Sequence, residues 1–219
     1  MAQKAKVLLV DDHPLVREWL ATLINQQTDL EVCGETDSAP AALQMIGEMN
    51  PEIAVVDISM ERGSGLELIK DVRANYPHVM VIVLSMHDEA LYAERALRAG
   101  ARGYIMKREA TKNVLQAIRG VRQGKLYVSD KMAMMLAEKF VDGKPTQQGS
   151  AIEQLSDREL EVFQLLGQGY TTRRIAEELH VSFKTIQAFS ARIKEKLGIA
   201  TATELLLEAV SWHDSQQKK

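Results

Sequence analysis

The chain has 219 residues, 46% hydrophobic and 26% charged, which is globular composition and about the length of two domains of roughly 100–200 residues each. No apolar run approaches the roughly 18 residues a membrane span requires, and the opening MAQKAKVLLVDD reaches acids too soon for a signal peptide. A single cysteine, Cys33, rules out an internal disulfide framework and a cysteine-rich zinc site, so a reducing cytoplasm is the expected setting. The net charge of −3 is unevenly spread: residues 1–107 carry −6, residues 108–149 carry +4, and residues 150–219 carry −1. Within the last block, residues 171–197 hold a local +3. An acidic front and a basic stripe fit cation chemistry followed by phosphate contact, although on charge alone solvated surfaces explain both.

Taken in chain order, short runs rich in Val, Ile and Leu fall at residues 7–10, 30–35, 53–56, 79–84 and 103–106. Runs apolar on both faces suit strands buried between two helical layers. Helix-like stretches alternate with them at 15–25, 41–48, 65–75, 90–99 and 112–122. Leu66, Leu68, Ile69 and Val72 make one apolar stripe, opposite Glu67, Lys70, Asp71 and Arg73. Five βα repeats predict a doubly wound α/β domain with a five-stranded parallel sheet and right-handed crossovers. After Gly124, Ser129 or Asp130 is placed to cap a helix through Met132, Leu136 and Phe140, and VDGKPTQQGS then reads as a flexible link. From Ile152 onward the pattern is helical throughout, with candidates at 157–168, 172–179, 183–197 and 202–212. This divides the chain into an α/β domain over 1–123, a linker with one helix over 124–151, and a small all-α four-helix domain over 152–219.

Sites in open parallel sheets lie beyond the carboxyl ends of the strands. Here the first strand ends in Asp11-Asp12, the third in Asp57, the fourth in Ser85 and the fifth in Lys107. In strand order 2-1-3-4-5 these are neighbours, and their side chains converge on one cleft. Three carboxylates this close repel unless a cation lies among them, and oxygen ligands with a place left for phosphate suit Mg²⁺. Asp57 is then the nucleophile that forms an aspartyl phosphate, with metal and Lys107 neutralising the phosphoryl oxygens and Ser85 donating its hydroxyl. Singly, each residue is weak evidence, since a strand-end Asp is commonly a turn former. The order DD, D, S, K is far more specific.

LLVDDHPLVRE, VVDISM, VLSMHDE and GARGYIMK resemble the receiver domain of bacterial two-component response regulators over roughly residues 5–123, a flavodoxin-like fold. The resemblance implies that Asp57 accepts a phosphoryl group from a sensor histidine kinase. It also implies that Asp12 binds Mg²⁺ directly, Asp11 largely through water, and Ser59 by its backbone carbonyl. Ser85 and Tyr104 match the hydroxyl and aromatic switch positions: on phosphorylation Ser85 moves toward the phosphate and Tyr104 rotates inward. Two departures stand out. Glu61 occupies a place that is usually proline, where an added carboxylate can alter metal access or phosphoryl lifetime, and Arg108 follows Lys107 where many receivers have proline.

In the tail, two amphipathic helices flank the turn His180-Val181-Ser182, with Ser182 placed as N-cap of the second. Such spacing suits a helix-turn-helix whose second helix enters the major groove, although periodicity alone favours a plain helical hairpin. LSDRELEVFQLLGQGYTTRRIAEELHVSFKTIQAFSARIKEKLGIATATEL is similar to the LuxR-type helix-turn-helix of the NarL/FixJ response regulators over about residues 153–210, with Glu159, Gly169, Ile175, Ala176, Leu179, Ser182, Thr185, Lys196 and Leu197 in register. The resemblance puts Lys184, Thr185, Gln187, Ala188 and Ala191 on the DNA-facing side. Arg192, Lys194 and Lys196 fall near the backbone or further along the helix. Lys184 and Thr185 suit phosphates, and Gln187 suits adenine edges. The helix is less basic than is usual, so affinity per monomer is expected to be modest, and pairing through the last helix assists.

The expected function is therefore a transcriptional response regulator that binds promoter DNA as a phosphorylation-driven homodimer, not an enzyme beyond its own phosphoryl chemistry, and without membrane attachment. Two alternatives differ in class. A Mg²⁺-dependent phosphohydrolase commonly needs a second acid two residues after the nucleophile, where this chain has Ser59. An interaction protein whose helical domain no longer binds DNA is the other. His13 is expected to be a loop residue, Cys33 inert packing in a buried strand, Trp19 packing on the first helix, and Trp212 either part of the pairing surface or a cap over the helical core.

Overall fold

A computed structural model of the chain describes residues 4–60, 63–87, 89–142 and 151–217. Glu61 and most of the expected link, residues 143–150, lie outside the described residues. Two units emerge, Met1–Asp142 and Gly143–Lys219. The helix assigned from sequence to the linker falls within the first.

Side chains alternate along a strand, so a strand that is apolar at every position must be covered on both faces. The central strand β3 (Ile53–Val56) meets that condition, buried throughout, and its neighbour β1 (Ala5–Val10) does so everywhere but at half-buried Lys6: Ala5, Val7 and Leu9 face one way and Leu8 and Val10 the other, all buried. The remaining strands are β2 (Leu30–Thr36), β4 (Met80–Ser85) and β5 (Gly103–Met106), and all five are parallel, in the order β2-β1-β3-β4-β5. Ala5, Val7, Leu9, Ile53, Val55, Ile82, Leu84 and Ile105 form one face of the sheet. They pack with Leu20 and Ile24 of α1 (Pro14–Asn25) and with Val114, Ala117, Ile118 and Val121 of α5 (Ala110–Arg122). Trp19 packs at the margin of this core, as expected. The helices α2 (Ala39–Met49), α3 (Gly65–Asn75) and α4 (Glu89–Ala99) complete the alternation with the strands, and α3 packs between α2 and α4. Each fully buried Leu or Ile contributes roughly 1.5–3 kcal/mol, so both layers are needed to stabilise the sheet.

The second strand departs from expectation. β2 is an edge strand and mostly half-buried. Its register slips between Val7↔Val32 and Leu8↔Gly34, which leaves Cys33 as the extra residue of a bulge. The Cys33 thiol donates to the Val7 carbonyl at 3.5 Å, and burial raises its pKa, so it is a packing residue but not one in a buried strand. Beyond α5, Tyr127 joins the outer side of β5 as an isolated parallel bridge to Gly103, and α6 (Asp130–Asp142) follows.

The second unit is helical: a single 3-10 turn at Ala151–Gln154, then α7 (Asp157–Gly167), α8 (Thr172–Glu178), α9 (Phe183–Leu197) and α10 (Ala202–Gln217). Ser156 starts α7 with a reciprocal capping box, its hydroxyl accepting from Glu159 N–H while Glu159 Oε2 accepts from Ser156 N–H at 2.7 Å. Leu160, Phe163, Ile175, Ile186, Ile193, Leu205 and Ala209 fill the core. The Trp212 ring lies tilted against Phe163 at 5.7 Å, in contact with the helical core.

Candidate functional site

The carboxyl edge of the sheet gathers the first group of predicted residues. Asp11 and Asp12 follow β1, Asp57 follows β3, Ser85 closes β4, and Lys107 opens the short turn after β5. Close packing below fixes the Asp57 loop. A Cβ at Gly65, the first residue of α3, would sit 2.2 Å from the Asp57 carbonyl oxygen, so only glycine lets the helix begin there. Asp57 itself is 2% exposed and Asp11 3%. The Lys107 ammonium bridges them, 2.6 Å from Asp57 Oδ2 and 2.8 Å from Asp11 Oδ2. Burial pushes the Asp57 carboxyl up to about 6; the Lys107 charge pulls against this and the Asp11 charge adds to it. Burial opposes the charge on Lys107, but the two carboxylates hold its pKa above the ordinary lysine value.

Two residues not assigned a role from sequence also face this cleft. His13 is exposed at the rim, with Nδ1 at 3.1 Å from Asp11 Oδ1, 2.8 Å from Asp12 Oδ1 and 3.3 Å from Lys107 Nζ. Arg17, one turn into α1, donates to the Asp11 carbonyl and anchors the loop. Ligand atoms from Asp11, Asp12, His13 and Asp57 all lie within 4.8 Å of one another. Three carboxylates against one ammonium leave a surplus of negative charge that a hard divalent cation offsets, and the oxygen-rich donor set suits Mg²⁺.

On the opposite rim, Ser59 N–H donates to Asp57 Oδ1 at 3.2 Å, and Ser59 Oγ shares a short hydrogen bond with His87 Nε2. Ser85 is fully buried, and its hydroxyl oxygen accepts from His87 N–H at 3.1 Å. Tyr104 is already inside the fold, 1% exposed, and donates from its hydroxyl to the His87 carbonyl at 3.0 Å. The His87 ring stacks on Tyr92 at 4.6 Å. Nothing in the spacing of VLSMHDE reveals that His87 bridges Ser59 and Tyr104, because those partners come from other strands.

The second group of predicted residues lies on α9. Ser182 caps it, accepting from Thr185 N–H at 3.1 Å. The preceding turn carries His180 in the left-handed region, at φ 52°. Lys184, Gln187, Ala188, Ala191 and Arg192 are exposed along the helix, and half-buried Thr185 shares a hydroxyl contact of 2.8 Å with Ser182. Lys196 is differently engaged. Its ammonium lies 2.6 Å from Glu159 Oε2 and donates to the Gln154 carbonyl at 3.1 Å, holding α9 to α7. Burial opposes the Glu159 charge, but Lys196 and the Ser156 donors outweigh it and keep the carboxyl below its ordinary value.

Residues 7–119 match the response regulator receiver domain, and residues 153–209 match the luxR family of bacterial regulatory proteins. The chain belongs to the two-component response regulators, in the NarL/FixJ group that joins a receiver to a LuxR-type helix-turn-helix, a family of transcription regulators. It is 35% identical over 205 residues to the oxygen regulatory protein NreC of Staphylococcus aureus, covering 92% of this chain and 94% of that protein. Among solved structures it is similar to RcsB of Salmonella enterica bound to promoter P1flhDC with the phosphomimetic BeF₃⁻, at 26% identity and a TM-score of 0.69, covering 95% of this chain and all of the other. A LuxR-family response regulator from Aurantimonas sp. is 31% identical with a TM-score of 0.59, covering 64% of this chain and 99% of that one. Among the described residues, no helix is long and apolar enough to cross a membrane.

Proposed function

We propose that this protein is a cytoplasmic transcription regulator switched by phosphorylation of Asp57 and binding promoter DNA as a homodimer. The observation that carries it is the Lys107 ammonium seated between Asp57 and Asp11 at the carboxyl edge of the sheet, with Asp12 beside them. Asp57, Asp12 and the Ser59 carbonyl would hold Mg²⁺, with Asp11 assisting, and the ion would supply positive charge to the phosphoryl oxygens. An Asp57 carboxylate oxygen forms the new P–O bond. The P–N bond to the donor kinase's histidine breaks, and its electron pair leaves with the imidazole. Lys107 stabilises the equatorial charge as it spreads. The Ser85 hydroxyl donates to a phosphoryl oxygen, which draws it from His87 N–H, and Tyr104 fills the space behind it. The receiver thus assists only its own phosphorylation and hydrolysis.

On the output side, the exposed N-terminal turn of α9 presents Lys184 and Gln187 to DNA, with Thr185 beside them, and Ala188, Ala191 and Arg192 follow along the same helix. Lys196 leaves the set of DNA contacts because its ammonium is committed to Glu159. The test is labelling of wild type and Asp57→Asn by a small acyl phosphate with Mg²⁺, followed by duplex binding of each. Wild type takes label and binds a selected duplex more tightly for it; the Asn variant takes none. Label retained by Asp57→Asn would show that the nucleophile lies elsewhere.

A further inference from the structure

The sides of α9 differ sharply in what they meet. Ile186 and Ile193 are fully buried, and Phe189 and Leu197 are half-buried, so the core is filled from that side. Phe183 stands apart from this set. It is the first residue of the helix and 50% exposed, whereas Phe163 of α7 is fully buried. A lone exposed apolar side chain is ordinary on a protein surface, so its position carries the argument. Four residues make a little over one helical turn, which puts Phe183 one turn before exposed Gln187 on the same side of the helix. Ser182 fixes that first turn: its hydroxyl oxygen accepts from Thr185 N–H at 3.1 Å and its carbonyl from Ile186 N–H at 3.2 Å. Ala188 and Ala191, exposed further along, end at Cβ and let a groove close on the helix. No carboxylate occurs from Ser182 through Lys194, so no side chain of this stretch repels phosphates.

We propose that Phe183 is a specificity-determining residue that reads the 5-methyl group of a thymine in the major groove, one or two base pairs from the adenine taken by Gln187. This rests on the reading of α9 as the helix that enters DNA. The thymine methyl is the one apolar group in the major-groove pattern of the four bases, and an apolar side chain covers it without stranding a hydrogen-bonding group. The first residues of a recognition helix are those that meet base edges. A rise of about 1.5 Å per residue separates positions 183 and 187 by about 6 Å along the helix, against about 3.4 Å between successive base pairs. The two side chains therefore fall on nearby pairs and not on the same one. Their chemistry is complementary: the Gln187 amide fixes an adenine by hydrogen bonds, and the Phe183 ring adds a contact that carries no charge and so no salt dependence. The half-site that suits this face is one in which thymine and adenine lie close together.

The experiment uses the full-length protein, treated with acyl phosphate and Mg²⁺, and a duplex selected by the wild type from a random pool. Each thymine in turn is replaced by uracil, which removes the methyl group and keeps every hydrogen-bonding group. In wild type one such replacement lowers affinity about fourfold, the worth of one buried methyl. Phe183→Ala binds the thymine duplex more weakly by at least that factor and no longer distinguishes uracil from thymine at that position. Phe183→Leu keeps part of the distinction. The slope of log affinity against log salt is the same in all three proteins, because no cation is lost. Tight, salt-dependent binding in which the uracil penalty at every position is equal in wild type and Phe183→Ala overturns the thymine reading alone. A wild-type protein that enriches no duplex overturns the DNA-binding reading of α9, and this inference falls with it.

Discussion

Each unit of this protein holds a buried acid 2.6 Å from a lysine, Asp57 from Lys107 and Glu159 from Lys196, and the two acids respond in opposite directions. Asp57 is pushed up to about 6, whereas Glu159 is held below its ordinary value. The lysine is not the difference. Asp57 lies deep, with Asp11 adding like charge, and besides Lys107 it accepts one long hydrogen bond from Ser59 N–H. Glu159 accepts from the backbone of its own N-cap and sits in the first turn of α7, where the helix dipole favours an anion. The comparison separates a charge kept under tension for a cation and a phosphoryl group from a charge that is fully satisfied and holds helices together.

Removing the lysine of the satisfied pair has the largest effect. Lys196→Ala leaves Glu159 buried and without its cation, and is expected to destabilise the C-terminal unit by roughly 2–4 kcal/mol. That loss is read as a lower melting transition for that unit with the receiver transition unmoved. Because the folded-state pKa of Glu159 is depressed, the pair's contribution is present above about pH 4.3 and disappears as pH falls through the folded value. A Lys196→Ala protein as stable as wild type at pH 7 would erase the distinction between the two acids.

Asp57 should behave in reverse. Its folded pKa lies above the unfolded value, so the metal-free protein carries a destabilising charge that develops as pH rises from about 4 to about 6 and is complete at pH 7. Asp57→Asn in the absence of metal is therefore expected to raise stability at pH 7 by on the order of 1–3 kcal/mol, since Lys107 keeps Asp11 as partner. Denaturant unfolding across pH 4–7 checks this, with the advantage shrinking toward pH 4. An advantage that grows on acidification contradicts it. The smallest effect belongs to the exposed end of α9: Lys184→Ala should reduce the slope of log affinity against log salt by about 1 and weaken DNA binding evenly across sequences.

Much of the fold was legible because the interior strands are apolar at nearly every position, a pattern that requires helices on both faces, as the alternation of strands and helices supplies in a parallel sheet. The pocket followed, since a parallel sheet aligns its carboxyl ends and the sequence places acids, a hydroxyl and a lysine there. Three features escaped for one reason: they depend on partners distant in sequence. His13 was set aside as a loop residue, but its ring meets three groups of the pocket, among them Lys107 from the far end of the sheet. Lys196 read as a DNA contact because spacing cannot reveal that Glu159 neutralises it. Cys33 read as buried because an apolar run does not disclose that its strand lies at the edge.

The bridge between Tyr127 and Gly103 bears on where the receiver can be cut. A fragment ending at residue 123, the border suggested by the sequence, strips the Tyr104 amide and the Arg102 carbonyl of their partners and lays bare the margin of β5. An unsealed margin of this kind templates pairing between molecules. A fragment carried through Asp142 keeps its own guard strand, and with it the solubility that the shorter piece gives up.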